Sequence, residues 1–190
     1  DMETHETYKL TDEDDYDPVW SPDGYLIAYQ SAKPSWVIKI LDFDSYQNRV
    51  NSCHTWIAAQ CGAIANSPAW INKHKLAFAA HTEMTADSFN VMNKLNSMPA
   101  RATHDKPTYQ WNIYEIQIKP DKLYEKPPKL TNNTFDNLYP AVFHRRFVLW
   151  QAFPHEREGE DGSTRDKDAH IYVMDLQNRQ EVPLLTGVGN

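Results

Sequence analysis

The chain has 190 residues and a formal net charge of −7, with six Trp and ten Tyr. The excess of carboxylates argues against a phosphate-backbone partner, because nucleic-acid affinity rests on clustered Lys and Arg, and no apolar run is long enough to span a membrane as a helix. No G-x-S-x-G elbow, HExxH helix, P-loop or dinucleotide fingerprint occurs, so neither catalysis nor a cofactor is expected from the motifs. The first residue is Asp1 rather than Met, as in a processed chain or a fragment.

Order begins after Leu10-Thr11. An acidic run, Asp12-Glu13-Asp14-Asp15 with Asp17 beyond it, leads into Pro18-Val19-Trp20, a very short predicted strand. Ser21-Pro22-Asp23-Gly24 reads as a tight turn: Pro fixes φ, Asp bonds its own backbone and Gly takes positive φ. Leu26 to Gln30 is a nearly continuous apolar run, as expected of a strand buried on both faces. Val37 to Leu41 is a third strand, and residues from about Gln47 to Trp56 can supply a fourth. Crowded carboxylates repel unless a cation or a basic partner neutralises them. Asp12, Asp14, Asp15 and Asp17 are therefore candidate binding residues; the plainer alternative is a solvated turn with Asp bonded to backbone.

Cys53 and Cys61 come next, in neither CxxC nor CxxCH spacing. In an oxidising compartment they would close a short loop as a disulfide; the alternative is two thiols.

The same order then returns twice. The second copy is Ser67-Pro68-Ala69-Trp70, then Lys75 to Ala79, then Trp111 to Ile116, ending in Lys129-Leu130-Thr131. The third is Tyr139-Pro140-Ala141-Val142-Phe143, then Phe147 to Gln151, then His170 to Asp175, ending in Leu184-Leu185-Thr186. Both later copies replace the Ser-Pro-Asp-Gly turn, with Asn72-Lys73-His74 and His144-Arg145-Arg146. Two long inserts separate second from third strands, over about 81–109 and 153–168. The first holds His81, Met84, Met92, Met98 and His104, which suits a soft-metal or haem contact or, more simply, a loop packed on its own Met. A short helix over Ala86–Leu95 is expected within it. The second insert carries His155-Glu156-Arg157-Glu158-Gly159-Glu160-Asp161-Gly162. Its oxygen ligands admit Ca²⁺, but it lacks the alternation of an EF-hand loop, and a solvated loop is the simpler reading.

Four antiparallel strands in succession make a propeller blade. The pattern DPVWSPDG–LIAYQ, then IYVMD, then KLT or LLT, resembles the TolB-like propeller repeat. The resemblance implies an all-β chain, a β-propeller of four-stranded antiparallel blades over about 12–60, 61–131 and 132–187. Trp20, Trp70 and Phe143 would take matching positions between blades. Glu6–Thr11 would be a stray outer strand of a preceding blade. Propellers close with about four to eight blades, so three imply a larger propeller, completed from the same parent chain or from a partner. A β-sandwich is disfavoured by three copies in one internal order.

In such a blade the lead-in to the first strand and the link from second to third strand share one face. That face would collect Asp12–Asp17, the third lead-in with Asp136 and Tyr139, and the bases of both inserts with His81 and His104. The expected function is a non-catalytic binding or scaffold propeller of an exported protein, recognising a protein or peptide there. The rival is the propeller of a larger enzyme, either a prolyl-oligopeptidase-like peptidase or a metal-dependent polysaccharide lyase. If the protein is exported, Cys53 and Cys61 should be bonded to each other and resist maleimide until reduced. Ready labelling of the folded, non-reduced protein would contradict this. Loss of the bond should cost about 3 kcal/mol or less, because the loop is short.

Overall fold

The computed structural model describes residues 9–33, 35–43, 54–60, 64–81, 111–133, 135–154 and 169–185, together with His5 and Thr7. Cys53, Cys61, His104, the expected helix and nearly all of both inserts lie outside them. The described residues form three antiparallel sheets in chain order. Blade 1 comprises β1 (Asp15–Trp20), β2 (Leu26–Ser31), β3 (Val37–Asp42) and β4 (His54–Ala59). Blade 2 comprises β5 (Ala65–Asn72), β6 (Lys75–His81) and β7 (Trp111–Gln117). Blade 3 comprises β8 (Phe135–Phe143), β9 (Phe147–Pro154), β10 (His170–Asp175) and β11 (Gln180–Leu185).

In blade 1, His54–Trp56 of the expected fourth strand lie in β4, and residues 47–53 lie outside the described residues. The fourth strand of blade 2 differs from expectation. In blade 2 the Lys129-Leu130-Thr131 segment makes only a bridge from Lys129 to Tyr114, with hydrogen bonds Glu115 N to Pro128 O and Leu130 N to Ile113 O. Pro127 and Pro128 have no N–H to give a ladder, which limits pairing there. Just before them, Tyr124 crosses to blade 1 and pairs with the edge of β4. The described residues of the Glu6–Thr11 stretch are in no strand.

The first strands are equivalent in detail. Each carries a bulge at its proline, between Tyr16 and Val19, Asn66 and Ala69, and Leu138 and Ala141. Each bulge holds a non-glycine residue at positive φ just before the proline: Asp17 at 50°, Ser67 at 50° and Tyr139 at 54°. Register from these points matches Trp20 with Trp70 and with Val142, because they pair with Ile27, Leu76 and Val148. Phe143 lies one residue further on, so it is not the partner of the two indoles. A one-residue offset in a strand moves a side chain to the opposite face. Val142 accordingly packs into the core, while Phe143 is 57% exposed.

Each sheet therefore has a front face toward the preceding blade and a back face toward the next. The back of blade 1 (Ala28, Ile38, Ile40) meets the front of blade 2 (Trp70, Leu76, Phe78, Tyr114, Ile116). The back of blade 2 (Ala77, Ala79, Ile113) meets the front of blade 3 (Val148, Trp150, Met174). Small residues on one side admit the large rings of the other, and each fully buried large side chain contributes about 1.5–3 kcal/mol. Polar contacts fix the joint between blades 1 and 2 and anchor the first strand of blade 3. The Trp70 indole donates to Val19 O at 3.0 Å across blades 1 and 2. Within blade 3, buried Asn137 accepts from the Trp150 indole at 2.7 Å, and its amide donates to Phe135 O at 2.7 Å and to Asn133 Oδ1 at 2.8 Å.

Asn137→Ala should destabilise the chain by about 1–3 kcal/mol, because it leaves a buried indole N–H unsatisfied. In a Trp150→Phe background the same substitution should cost clearly less. Equal costs in both backgrounds, measured by denaturant unfolding, would show that this hydrogen bond does not anchor the strand.

Candidate functional site

Strand direction gathers the candidate residues at one end of the array. In blade 1 the register brings Asp15 beside Ser31, and Ser31 beside Val37. In blade 3 it brings Asn137 beside Ala152, and Ala152 beside His170. The start of each first strand, the end of the second and the start of the third thus share an end. Neighbouring blades are fastened at that end. Ala65 N donates to Trp36 O at 2.9 Å, Trp111 N donates to Asp136 Oδ1 at 2.9 Å, and Asn137 Nδ2 donates to Trp111 O at 3.3 Å.

The acidic run is not a single cluster of like charges. Asp12 pairs with Lys9 at 2.9 Å, and that hydrogen bond holds its carboxyl below the usual carboxylate range. Glu13 binds Lys39 and also accepts from the Ser31 hydroxyl; the Lys39 hydrogen bond lowers its pKa most. Asp14 and Asp17 are exposed. Asp15 differs: both carboxylate oxygens are buried and have no hydrogen-bond partner among the described residues. Among the described residues, no group of three or more His, Cys, Asp or Glu could hold a metal ion.

Asp17 and Tyr139 are the bulge residues themselves. Positive φ is uncommon for a non-glycine residue and is an outlier for a bulky one such as Tyr. Bulges of this kind re-aim side chains and are over-represented beside functional sites. Tyr139 is 56% exposed on its first strand. Asp136 and His81 both meet Trp111: Asp136 accepts its N–H, and the His81 ring lies 5.0 Å from its indole. Asp136 thereby helps to build the joint between blades 2 and 3, whereas the His81 contact with Trp111 lies within blade 2.

Two rings escaped the sequence-based choice of site residues. Tyr16 and Trp36 stand with centroids 5.7 Å apart at the same end of blade 1, and both are exposed. The available signal was the aromatic residue opening the third strand in two copies, Trp36 and Trp111. The turns at His74 and His144 lie at the opposite end, where Asn72 Oδ1 accepts from His74 N at 2.8 Å.

No protein-family model matches the chain, and no curated protein matches it. Among solved structures it is similar to the putative TolB from Agrobacterium tumefaciens, with a TM-score of 0.52 and 15% identity. That likeness covers 87% of this chain and 47% of the other. It establishes the fold, an array of β-propeller blades, and the chain spans less than half the length of that structure.

Proposed function

We propose that this chain is the non-catalytic binding propeller of an exported protein, and that it recognises a basic segment of a protein or peptide at the lead-in end. The observation that carries the reading is the rim of blade 1, where exposed Asp12, Asp14 and Asp17 stand with the exposed rings of Tyr16 and Trp36. Carboxylates beside aromatic faces suit Lys and Arg, which gain charge pairing and cation–π contact together. Such a rim adds to association rate and specificity more than to raw affinity. Export is supported by the repeat resemblance and by a cysteine pair suited to an oxidising compartment. No described helix is long and apolar enough to cross a membrane. The remaining blades of the propeller belong to the same longer chain or to a partner.

Charge reversal belongs at Asp12 and Asp17, because the Asp15 carboxylate oxygens are buried and its reversal would test folding instead. The probe is an unstructured Lys/Arg peptide containing one Trp, set against its Glu-substituted counterpart and read by fluorescence anisotropy. The Asp12→Lys/Asp17→Lys variant should bind the basic peptide about tenfold more weakly, the sum of two rim contacts of about 0.2–1 kcal/mol each. The difference should shrink as salt screens the rim. Unchanged binding, or protection from labelling at the His74 and His144 turns instead, would place the partner on the wrong face.

A further inference from the structure

The repeat departs from its own turn at the end of the array opposite the acidic rim. Between first and second strands, blade 1 keeps Ser21-Pro22-Asp23-Gly24, where the Ser21 hydroxyl donates to Asp23 Oδ1 at 2.7 Å and Gly24 takes a φ of 80°. At the same point blade 2 has Lys73 and His74, and blade 3 has His144, Arg145 and Arg146. Turn chemistry does not ask for these side chains. His144 and Arg145 both take positive φ, 51° and 56°, and Arg146 N donates to Phe143 O at 3.2 Å. Asn and Gly are the residues that suit two such positions in a hairpin. His and Arg hold them under strain, and strained backbone of this kind clusters at ligand sites.

The cations of these turns are joined by carboxylates into one band across blades 2 and 3. Ile118 N donates to His74 O at 2.7 Å, which sets Lys119 beside the blade 2 turn. Glu115 accepts from Arg179 at 2.5 Å and lies 3.8 Å from Lys75. Arg179 N donates to Asp175 O at 2.8 Å, and the Asp175 carboxylate receives the Arg146 guanidinium as a fork, Nε at 3.0 Å and Nη2 at 2.5 Å. Both carboxylates of the band are thus held by Arg. Lys73, Lys119 and Arg145 are exposed and make no ion pair among the described residues. A chain of net charge −7 therefore presents uncompensated positive charge at one end.

We propose that the turns of blades 2 and 3 form a second docking surface, which takes an acidic peptide segment of a partner protein. The exposed guanidinium of Arg145 matches a planar carboxylate. Phe143, itself exposed and edge-on to the His144 ring at 4.0 Å, offers an apolar contact beside it. An acidic residue followed by an apolar one uses both features, whereas a bare polyanion uses the charge alone. Asp23 in the blade 1 turn repels such a segment and confines it to blades 2 and 3. The acidic rim lies at the other end and suits the opposite charge, so the two surfaces are independent.

The probe is a fluorescein-labelled, unstructured peptide of Asp, Glu and Leu, read by anisotropy against the 190-residue chain. It should bind at low salt and dissociate as salt screens the charges. Arg145→Glu should weaken binding about threefold and Lys73→Glu/Arg145→Glu about tenfold, as loss of exposed charge pairs predicts. Lys33→Glu, a charge reversal at the acidic end, should leave it unchanged. His144→Asn/Arg145→Gly, which suits the turn better, should also weaken the peptide without loss of stability in urea, so that a folding defect is not mistaken for a binding one. No binding at low salt would overturn the proposal. So would a loss at Lys33→Glu as large as that at Arg145→Glu, binding untouched by His144→Asn/Arg145→Gly, or a sulfated oligosaccharide preferred to the peptide. The basic peptide at Asp12 and Asp17 should bind the Lys73 and Arg145 variants as it binds the parent chain, and its failure to bind the parent chain would refute the rim alone.

Discussion

Coverage of both faces of every sheet is the constraint on which the rest depends. A four-stranded sheet this apolar on both sides cannot stand alone in water; it must lie between neighbours, as repeat units do. The chain meets that demand by setting small residues on one blade against large rings on the next. Ala77 and Ala79 leave the room that Trp150 fills, and Ala28 does the same for Phe78. The Trp70 indole bond to Val19 then fixes how far one blade sits from the other. Packing alone tolerates sliding, whereas a buried N–H that must find its carbonyl does not.

The bulges follow from that arrangement. A first strand must bond its own second strand and also present its lead-in to the preceding blade. A straight strand cannot aim both halves correctly, and one extra residue at the proline redirects it. The strain of positive φ at Asp17, Ser67 and Tyr139 is offset by what those strands hold in place, including the Asn137 network under Tyr139. The strain is therefore best understood as part of the joint. The proposed binding at the rim would use side chains that the joint leaves exposed.

Much of the fold was legible because its signals are local. Pro-x-Trp, a turn and an apolar run recur in fixed order, and each needs only neighbours in sequence. What stayed hidden depends on distant contacts. The residue before a proline is ordinarily extended, so nothing local announced positive φ at Asp17, and the bulge shifted the match of Trp20 from Phe143 to Val142. The reduced fourth strand of blade 2 could be suspected from Pro127-Pro128, but its crossing to β4 could not. At the site, the lead-in residues were found by their place in the repeat. Asp136 then proved to fasten Trp111, and the acidic run resolved into separate pairs with Lys9 and Lys39, which sequence spacing cannot foretell for Glu13 and Lys39, 26 residues apart.

If shared faces hold the array together, blades 1 and 2 must open as one unit. Native-state hydrogen exchange tests this directly, by following amides in β2 and β3 beside those in β6 and β7. The account requires one common opening free energy for both sets, lowered equally in each by Trp70→Leu. Blade 1 amides that exchange at their own free energy, untouched by the Trp70 substitution, would contradict it.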